Sequence, residues 1–342
     1  MKVETALVAP SIEAVGDAAR RIEDAGYDSV ITPEAGHDPF LPLMIIAEHT
    51  KRLHFGTGVA IAFPRSPFVT AQIAWDLQRY SGGRFMLGLG TQVKGHNERR
   101  YSTAWPSPPG PRLREYILCL RAIFKTFQTS ARPDFQGKHY QFTLISPFFS
   151  PGPNPPQAEN VPIYISAVNR YNCRLVGELC DGIRMHGFNT LKYTNEVIIP
   201  AIKEGAEKAG RTFSDIDIVG GAFVITGKNE EEIEKAKGPV RQQLSFYAST
   251  RAYFPVLEVH GWQDVGARLF RLSMEGRWSE MANMMNDDML EEFAVIAPYD
   301  QLADKLKQRY AGLVTTLDFG FGVRTPEQQE ALASIVQELK KA

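Results

Sequence analysis

The sequence is poor in cysteine and shows no spacing that is typical of a metal centre. Its 342 residues include three cysteines, Cys119, Cys173 and Cys180, and none belongs to a C-x-x-C pair. The seven histidines are scattered, and no two have metal-ligand spacing. We therefore expect buried, reduced thiols, a reducing cytoplasm and no bound metal.

An excess of charge of either sign is also absent. The 38 basic and 39 acidic residues give a formal net charge of -1, which excludes a strongly basic nucleic-acid-binding protein. No apolar run reaches the roughly 20 residues that span a membrane. The N-terminal stretch M-K-V-E-T-A-L-V-A-P is too short and too acidic for a signal peptide. We expect a cytoplasmic protein with a small-molecule substrate and neither a membrane nor a nucleic-acid partner.

Apolar runs alternate with helical patterns along most of the chain. The clearest unit has an apolar run over 53–62, a helical pattern over 68–80, a Ser-Gly-Gly-Arg turn and a second apolar run over 85–90. A helix between two such runs connects neighbouring parallel strands. Eight strands are predicted in this way, and they start at Val3, Asp28, Leu53, Phe85, Ile163, Gly182, Ile216 and Leu313.

Eight strand–helix units in one chain predict an α/β fold of the TIM (β/α)8 barrel type. An open doubly wound sheet is the alternative, weakened because no G-x-G-x-x-G follows the first strand. We predict a single barrel domain over 1–342 with insertions at about 93–111, 131–162 and 251–298. The second insertion has a candidate edge strand at 140–144, and the third is expected to form a cap of two or three short helices. One strand is expected over 216–226.

Glycines and neutral polar residues, rather than nucleophiles, mark the predicted strand ends. In a TIM barrel the carboxyl ends of the strands hold the ligand. These ends contain no Ser-His-Asp triad, carboxylate pair or metal-ligand set, which argues against hydrolysis. They suit a large planar cofactor that supplies the chemistry itself. The stretch 166–169 ends a strand and opens a helix, so it could bind a phosphate through backbone N–H groups or act only as a cap.

Three stretches of the sequence resemble the bacterial-luciferase-like flavin and deazaflavin oxidoreductases. They read T-G-V-A-I-A-F-P-R-S-P, S-G-G-R-F-M-L-G-L-G-T, and P-I-Y-I-S-A followed by D-G-I-R. The most similar branch uses the deazaflavin coenzyme F-420. The resemblance covers nearly the whole chain and is most specific over 56–91. It implies a luciferase-like TIM barrel with insertions and a homodimer.

The resemblance also implies a set of cofactor-binding residues at three strand ends. A non-proline cis peptide is expected at Gly58–Val59, behind the central ring of the cofactor. The loop after the fourth strand is expected near the ring and the substrate, and the loop after the fifth near the phosphate or ribityl chain. The implied residues are Thr57, Gly58, Val59, Gly90, Thr91, Gln92, Ser166, Ala167, Val168 and Asn169.

Glu34 lies where relatives often carry a histidine beside the redox carbon. Because a carboxylate replaces the imidazole here, either Glu34 or the nearby His37 is expected to handle the proton. A structural alternative for Glu34 is an ion pair with Arg65, and His37 could cap its loop. His186, at the sixth strand end, could face the pocket or be structural, whereas the aromatic residues of 247–278 are interpreted as cap core.

The resemblance implies an oxidoreductase that transfers a hydride between carbon 5 of coenzyme F-420 and a small unsaturated organic substrate. The main alternative is an FMN-dependent monooxygenase that uses reduced flavin and dioxygen. A second alternative is a non-catalytic barrel that binds a flavin. A sugar phosphate would require clustered basic residues on the later strands, and none is convincing.

Overall fold

A closed barrel of eight parallel strands forms the centre of the structure, a computed structural model that describes residues 1–341. The strands follow the order β3-β2-β1-β13-β10-β9-β8-β5, and β5 pairs back onto β3 to close the ring. This arrangement confirms the predicted TIM barrel and all eight of its strands. The barrel strands are β1 (Lys2–Ala6), β2 (Ser29–Thr32), β3 (His54–Thr57), β5 (Phe85–Gly90), β8 (Ile163–Ala167), β9 (Gly182–Met185), β10 (Asp217–Gly220) and β13 (Thr316–Asp318).

Helices cover the outside of the barrel, and most of the helices that do not cover the barrel lie in the long insertions. The first half contains α1 (Val15–Asp24), α2 (Leu41–His49), α3 (Pro67–Tyr80), α4 (Lys94–Arg99), α5 (Pro109–Thr129) and α6 (Arg170–Leu179). The second half contains α7 (Leu191–Tyr193), a π-helical turn (Thr194–Ile198), α8 (Ile199–Lys208), α9 (Glu230–Ala248), α10 (Phe254–Glu258), α11 (Gln263–Met274), α12 (Trp278–Met281), α13 (Asp287–Phe293), α14 (Tyr299–Tyr310) and α15 (Pro326–Lys340).

The predicted strand–helix–strand unit between β3 and β5 forms through local signals. Ser66 caps α3, because its side chain accepts a hydrogen bond from Val69 N at 3.2 Å, and proline occupies the first helical position. Trp75 is fully buried on the inner face of α3. Gly83 has φ of +96°, and a Cβ there would lie 2.1 Å from Gln157 O, so the turn into β5 requires glycine.

The single strand expected over 216–226 is wrong. The chain forms β10 in the barrel and then leaves it as β11 (Phe223–Gly227), which pairs in parallel with β12 (Ala294–Pro298) outside the barrel. The break falls at Gly221, where a Cβ would lie 2.0 Å from Asp318 O. Close approach of β13 therefore separates the two strands.

The insertions contain more regular structure than expected. The cap segment holds four α-helices, α10 to α13, and ends in β12, so the expectation of two or three helices is wrong. The loop after β5 contains α4. The candidate edge strand is shorter than expected: β7 (Gln141–Phe142) pairs antiparallel with β6 (Phe135–Gln136). A further short strand, β4 (Ala60–Ile61), pairs with β5 beside the barrel rim.

The strand register decides which side chains enter the barrel. Parallel partners in register point to the same side, and alternate residues of a strand point to opposite sides. Contacts of Glu4 with Ser29 and Arg184 identify the inward side. The inward residues are therefore Lys2, Glu4, Ala6, Ser29, Ile31, His54, Gly56, Met86, Gly88, Gly90, Tyr164, Ser166, Gly182, Arg184, Asp217, Val219, Thr316 and Asp318.

The three cysteines are buried and free, as expected. Burial raises the pKa of each thiol to about 12, so none is a reactive thiolate at neutral pH. Within residues 1–341, no helix is long and apolar enough to cross a membrane.

Candidate active site at the carboxyl ends of the barrel strands

A buried ion pair lies inside the barrel, directly below its carboxyl-end mouth. The Arg184 guanidinium donates hydrogen bonds to both carboxylate oxygens of Glu4, one of them at 3.2 Å, and Ser29 Oγ donates to Glu4 at 2.8 Å. Glu4 is 1% exposed and Arg184 is 6% exposed. Burial alone lowers the pKa of Arg184, but the charge of Glu4 raises it, so the guanidinium stays charged.

Asp318 ends β13 at the mouth and is the in-register partner of Glu4. Water reaches its side chain, but the barrel walls around it exclude most of the bulk solvent. This desolvation, reinforced by the charge of Glu4 and partly offset by Arg184, raises the pKa of Asp318 to about 7. A carboxyl group that is half protonated near neutral pH can both donate and accept a proton.

Asp318 has no role predicted from the sequence. Its signal is the spacing Thr-x-Asp at the end of a barrel strand, which puts the carboxyl group on the inward side. The neighbours that raise its pKa lie on β1 and β9, far away in sequence. The perturbed pKa therefore depends on tertiary structure that no local pattern contains.

Glu34 is held by an ion pair at the edge of the mouth. Its Oε2 accepts hydrogen bonds from Arg65 Nη1 at 2.6 Å and from Ile61 N at 2.7 Å, and its side chain is 7% exposed. Arg65 also donates to Asp38 at 3.0 Å. These contacts confirm the alternative interpretation that Glu34 pairs with Arg65. His37 is exposed on the same loop.

The wall formed by β3 and β5 consists mostly of backbone. Gly88 lies so close to β3 that a Cβ would be 1.9 Å from Thr57 O. Thr57 Oγ1 donates to Gly88 O at 2.6 Å and accepts from Gly88 N at 3.0 Å, which ties the two strands together. The peptide bond between Gly58 and Val59 is cis, as expected. This side of the mouth therefore presents a surface without large inward side chains.

The loop after β5 is held by a buried amide. Asn97 is fully buried, and its Nδ2 donates to Thr91 O at 2.9 Å and to Val93 O at 3.2 Å. Gln92 has a φ of 56°, in the left-handed region. Gly90 ends the inward side of β5, where a Cβ would lie 2.6 Å from Val59 Cγ2. The structure therefore brings Gly90 next to Val59, as the implied cofactor site requires.

The loop after β8 combines a helix cap with a free hydroxyl group. Asn169 caps α6, because its side chain accepts from Asn172 N at 2.9 Å. Val168 O accepts from Tyr193 Oη at 2.9 Å. Ser166 lies on the inward side in register with Arg184, and its hydroxyl group has no hydrogen-bond partner within residues 1–341. Asn169 caps the helix, and Ala167 is buried. The hydroxyl group of Ser166 is available to a ligand.

An open groove of 410 Å³ begins beside this loop. It runs between the N-terminal end of α6 and α10 of the cap, and Asn169, Arg170 and Glu258 are among its lining residues. The N-terminal backbone N–H groups and the dipole of a helix favour an anion. The groove therefore offers a path for a long anionic tail away from the mouth.

The opposite rim of the mouth is aromatic. His186 follows β9 and packs between Tyr247 of α9 and Tyr253, with ring centroids 4.6 and 4.7 Å away. Phe188 stacks on Phe293 of the cap, at 4.4 Å. The aromatic residues of 247–278, expected to be cap core, are only partly buried where they pack against the core, and Trp278 is 45% exposed. Tyr247 and Tyr253 instead reach the histidine at the strand end.

Comparisons with known proteins agree with this architecture. A model of the luciferase-like monooxygenase family matches residues 2–316. The uncharacterized protein Rv1360 of Mycobacterium tuberculosis is 39% identical over 325 residues, which cover 95% of this chain and 94% of that protein. Rv3520c of the same organism, whose name assigns it provisionally to the coenzyme F-420-dependent oxidoreductases, is 28% identical over 339 residues, with 92% of each chain covered.

A solved structure shows the same fold. The coenzyme F-420-dependent tetrahydromethanopterin reductase from Methanopyrus kandleri superposes with a TM-score of 0.78 at 20% identity, over 100% of this chain and 98% of that one. The family match extends over more than nine-tenths of the chain and includes seven of the eight barrel strands and the first residue of β13. The chain therefore belongs to the luciferase-like monooxygenase family, a family of oxidoreductases.

Proposed function

We propose that the protein is a coenzyme F-420-dependent oxidoreductase that transfers a hydride between the deazaflavin and a small organic substrate. The observation that carries this proposal is the backbone wall at Gly58–Val59, at a mouth that otherwise carries polar and aromatic side chains and shows no Ser-His-Asp triad within residues 1–341. Similarity to a relative named for coenzyme F-420 supports it. Within residues 1–341, no group of three histidine, cysteine or acidic residues could hold a metal ion.

The residues present fit a planar ring with an anionic tail. The wall of β3 and β5 carries glycine at three of its inward positions, Gly56, Gly88 and Gly90, which leaves room for a flat ring against the backbone. Ser166 offers an unpaired hydroxyl group near the start of α6, where a phosphate would meet backbone N–H groups. We propose Thr57, Gly58, Val59, Gly90, Thr91 and Gln92 as the ring site, and Ser166, Ala167, Val168 and Asn169 as the site of the ribityl phosphate.

When bound, the coenzyme supplies a hydride at carbon 5 of its ring. The protein orients the substrate, excludes water beneath the cap and handles the accompanying proton. Glu34 and His37 remain proposed for the proton, and hydrogen bonds from Arg65 and from Ile61 N hold the Glu34 side chain at the edge of the mouth. We add Asp318, because its pKa of about 7 suits proton exchange at neutral pH.

The cofactor can be tested by a spectral titration of the purified protein with oxidised coenzyme F-420 and, separately, with FMN. The expected result is saturable binding of coenzyme F-420 and at least about tenfold weaker binding of FMN. A Ser166→Ala variant should bind coenzyme F-420 about tenfold more weakly, since it loses one hydrogen bond to a charged group. Saturable FMN binding without coenzyme F-420 binding would instead support an FMN-dependent monooxygenase.

We also propose a homodimer that forms through the face of α2 and α3. Leu41 is 68% exposed, and Met44 and Tyr80 are about half exposed. These side chains border an open groove of 930 Å³ between the two helices. Exposed apolar patches of this kind mark interaction sites. Light scattering should give twice the chain mass, and a Leu41→Asp variant should shift the protein towards the monomer, whereas Leu144→Asp at an exposed position elsewhere should not.

A further inference from the structure

His186 lies at the mouth of the barrel on the substrate side of the proposed ring site. In β9 the side chains of Ile183 and Met185 face outward into the core, and Arg184 faces inward onto Glu4. The next alternation places His186 on the inward side, one residue beyond the strand. It therefore stands above the buried ion pair, at the level where a substrate enters.

Hydrogen bonding fixes the tautomer of His186. Phe188 N donates to His186 Nδ1 at 2.9 Å, so Nδ1 carries no proton. Burial lowers the pKa of the imidazole to about 4, so the ring is neutral at physiological pH. The single ring proton must then be on Nε2, which makes this nitrogen a fixed hydrogen-bond donor.

The Nε2 atom is available to a ligand. It has no hydrogen-bond partner within residues 1–341, and it is not one of the fully buried unpaired polar atoms of that region. Solvent therefore reaches it. A donor that is held in one tautomer and reached only from the mouth is suited to bind an acceptor atom there.

The surroundings of His186 are aromatic and uncharged. The Tyr247 ring lies edge to face with the imidazole at 82°, and the Tyr253 ring is tilted by 33°. Burial accounts for the lowered pKa of His186, and no charged residue of 1–341 contributes to it. Without a nearby cation, this part of the mouth disfavours a phosphate or carboxylate, because a desolvated anion would be unpaired.

We propose that His186 Nε2–H binds the oxygen of an uncharged carbonyl compound or alcohol, and that Tyr247 and Tyr253 pack against the apolar part of that molecule. This inference rests on the proposed oxidoreductase function and names its substrate class. It makes His186 a specificity-determining residue. Sugar phosphates and carboxylates are excluded as substrates of this subsite.

The first test uses the protein without any cofactor, so that its outcome does not depend on the identity of the coenzyme. Nitrogen-15 NMR of histidine-labelled protein at pH 7 should show His186 as the neutral Nε2–H tautomer, assigned by loss of its signals in His186→Asn. Cyclohex-2-enone should shift the Nε2 signal in a saturable manner, and glucose 6-phosphate should not. A protonated ring, the Nδ1–H tautomer, no shift with the ketone, or a shift with the phosphate would each overturn the proposal.

A pair of variants separates the donor from the local fold. Asparagine at 186 keeps an acceptor for Phe188 N but has no donor at the Nε2 position, whereas glutamine places an amide N–H near that position. His186→Asn should bind cyclohex-2-enone at least about tenfold more weakly, and His186→Gln should stay within about threefold of the wild type. His139→Asn, at an exposed position outside the proposed site, is the matched control and should leave the affinity for cyclohex-2-enone unchanged. Equal affinity of the Asn and wild-type proteins, with unchanged melting temperatures, would contradict the assignment.

Discussion

Replacing Asp318 with asparagine is expected to lower kcat/KM by about 100-fold or more, because a positioned general acid typically contributes a factor of 10² to 10⁴. Asparagine preserves the shape of the side chain but cannot exchange a proton. The loss should appear in kcat rather than in coenzyme binding, since Asp318 lies on the β13 side and the proposed ring site lies on β3 and β5. Steady-state kinetics and a coenzyme titration on the same variant measure both quantities.

The direction in which the rate changes with pH is a second test of Asp318. In the direction that reduces the substrate, Asp318 must be protonated, so the rate should fall as the pH rises through about 7. This limb should be missing in Asp318→Asn. Glu34→Gln is the matched control, and its activity should keep the same limb. If Glu34→Gln removes the limb and Asp318→Asn retains it, the proton belongs to Glu34.

Stability provides an independent check on Asp318. Because its folded-state pKa lies above its ordinary value of 3.8, the folded state binds more protons than the unfolded state between the two values. The contribution of Asp318 to stability is therefore complete below about pH 4 and is lost as the pH rises through 7. Asp318→Asn should then be more stable than the wild type at pH 8 in urea unfolding, although it is less active.

Replacing Glu4 with glutamine is expected to lower the free energy of unfolding by about 3–5 kcal/mol, because it leaves Arg184 charged and uncompensated inside the barrel. Within residues 1–341 the buried guanidinium makes no other ion-pair contact within 4.0 Å, Asp318 acts on it only through its charge, and its Nε is already unpaired. Urea unfolding at pH 7 measures the change.

A double variant tests whether the Glu4 effect comes from the unpaired charge. Glu4→Met combined with Arg184→Met removes both charges, so it should cost less than the sum of the two single changes. Glu204→Gln on the surface, which removes contacts to Arg170 and Arg174, should cost about 1 kcal/mol or less. Additive losses in the double variant would contradict an interaction between Glu4 and Arg184.

The eight barrel strands can be predicted from the sequence because each is a short apolar run beside a helical pattern. Signals such as Ser66-Pro67 at the start of α3 and Gly82-Gly83 at its end act locally. The pairing of the strand that ends the cap cannot be predicted in this way. Within residues 1–341, the five-residue strand β12 pairs only with β11, which lies about 70 residues earlier in the chain. No local pattern specifies that pairing.

In the candidate site, too, some features can be predicted from local sequence and others depend on the tertiary structure. The cis peptide at Gly58–Val59 follows from resemblance over a specific stretch of sequence. The Glu4–Arg184 pair joins residues 180 positions apart, and the raised pKa of Asp318 depends on that pair. Glu34 can be identified as a candidate from the sequence because it follows a strand. Its ion-pair partner Arg65 lies in another loop. Only the folded barrel brings these charges together.

Isotope labelling tests most directly whether the protein transfers a hydride from the deazaflavin to the substrate. Reduced coenzyme F-420 with both hydrogens at carbon 5 replaced by deuterium is incubated with the protein and cyclohex-2-enone without dioxygen, and the product is analysed by mass spectrometry. If the hydride comes from the deazaflavin, each molecule of reduced product should carry one carbon-bound deuterium. The amount of labelled product should equal the amount of coenzyme oxidised. Product formed without deuterium, or turnover that requires FMN and dioxygen, would contradict hydride transfer from the deazaflavin.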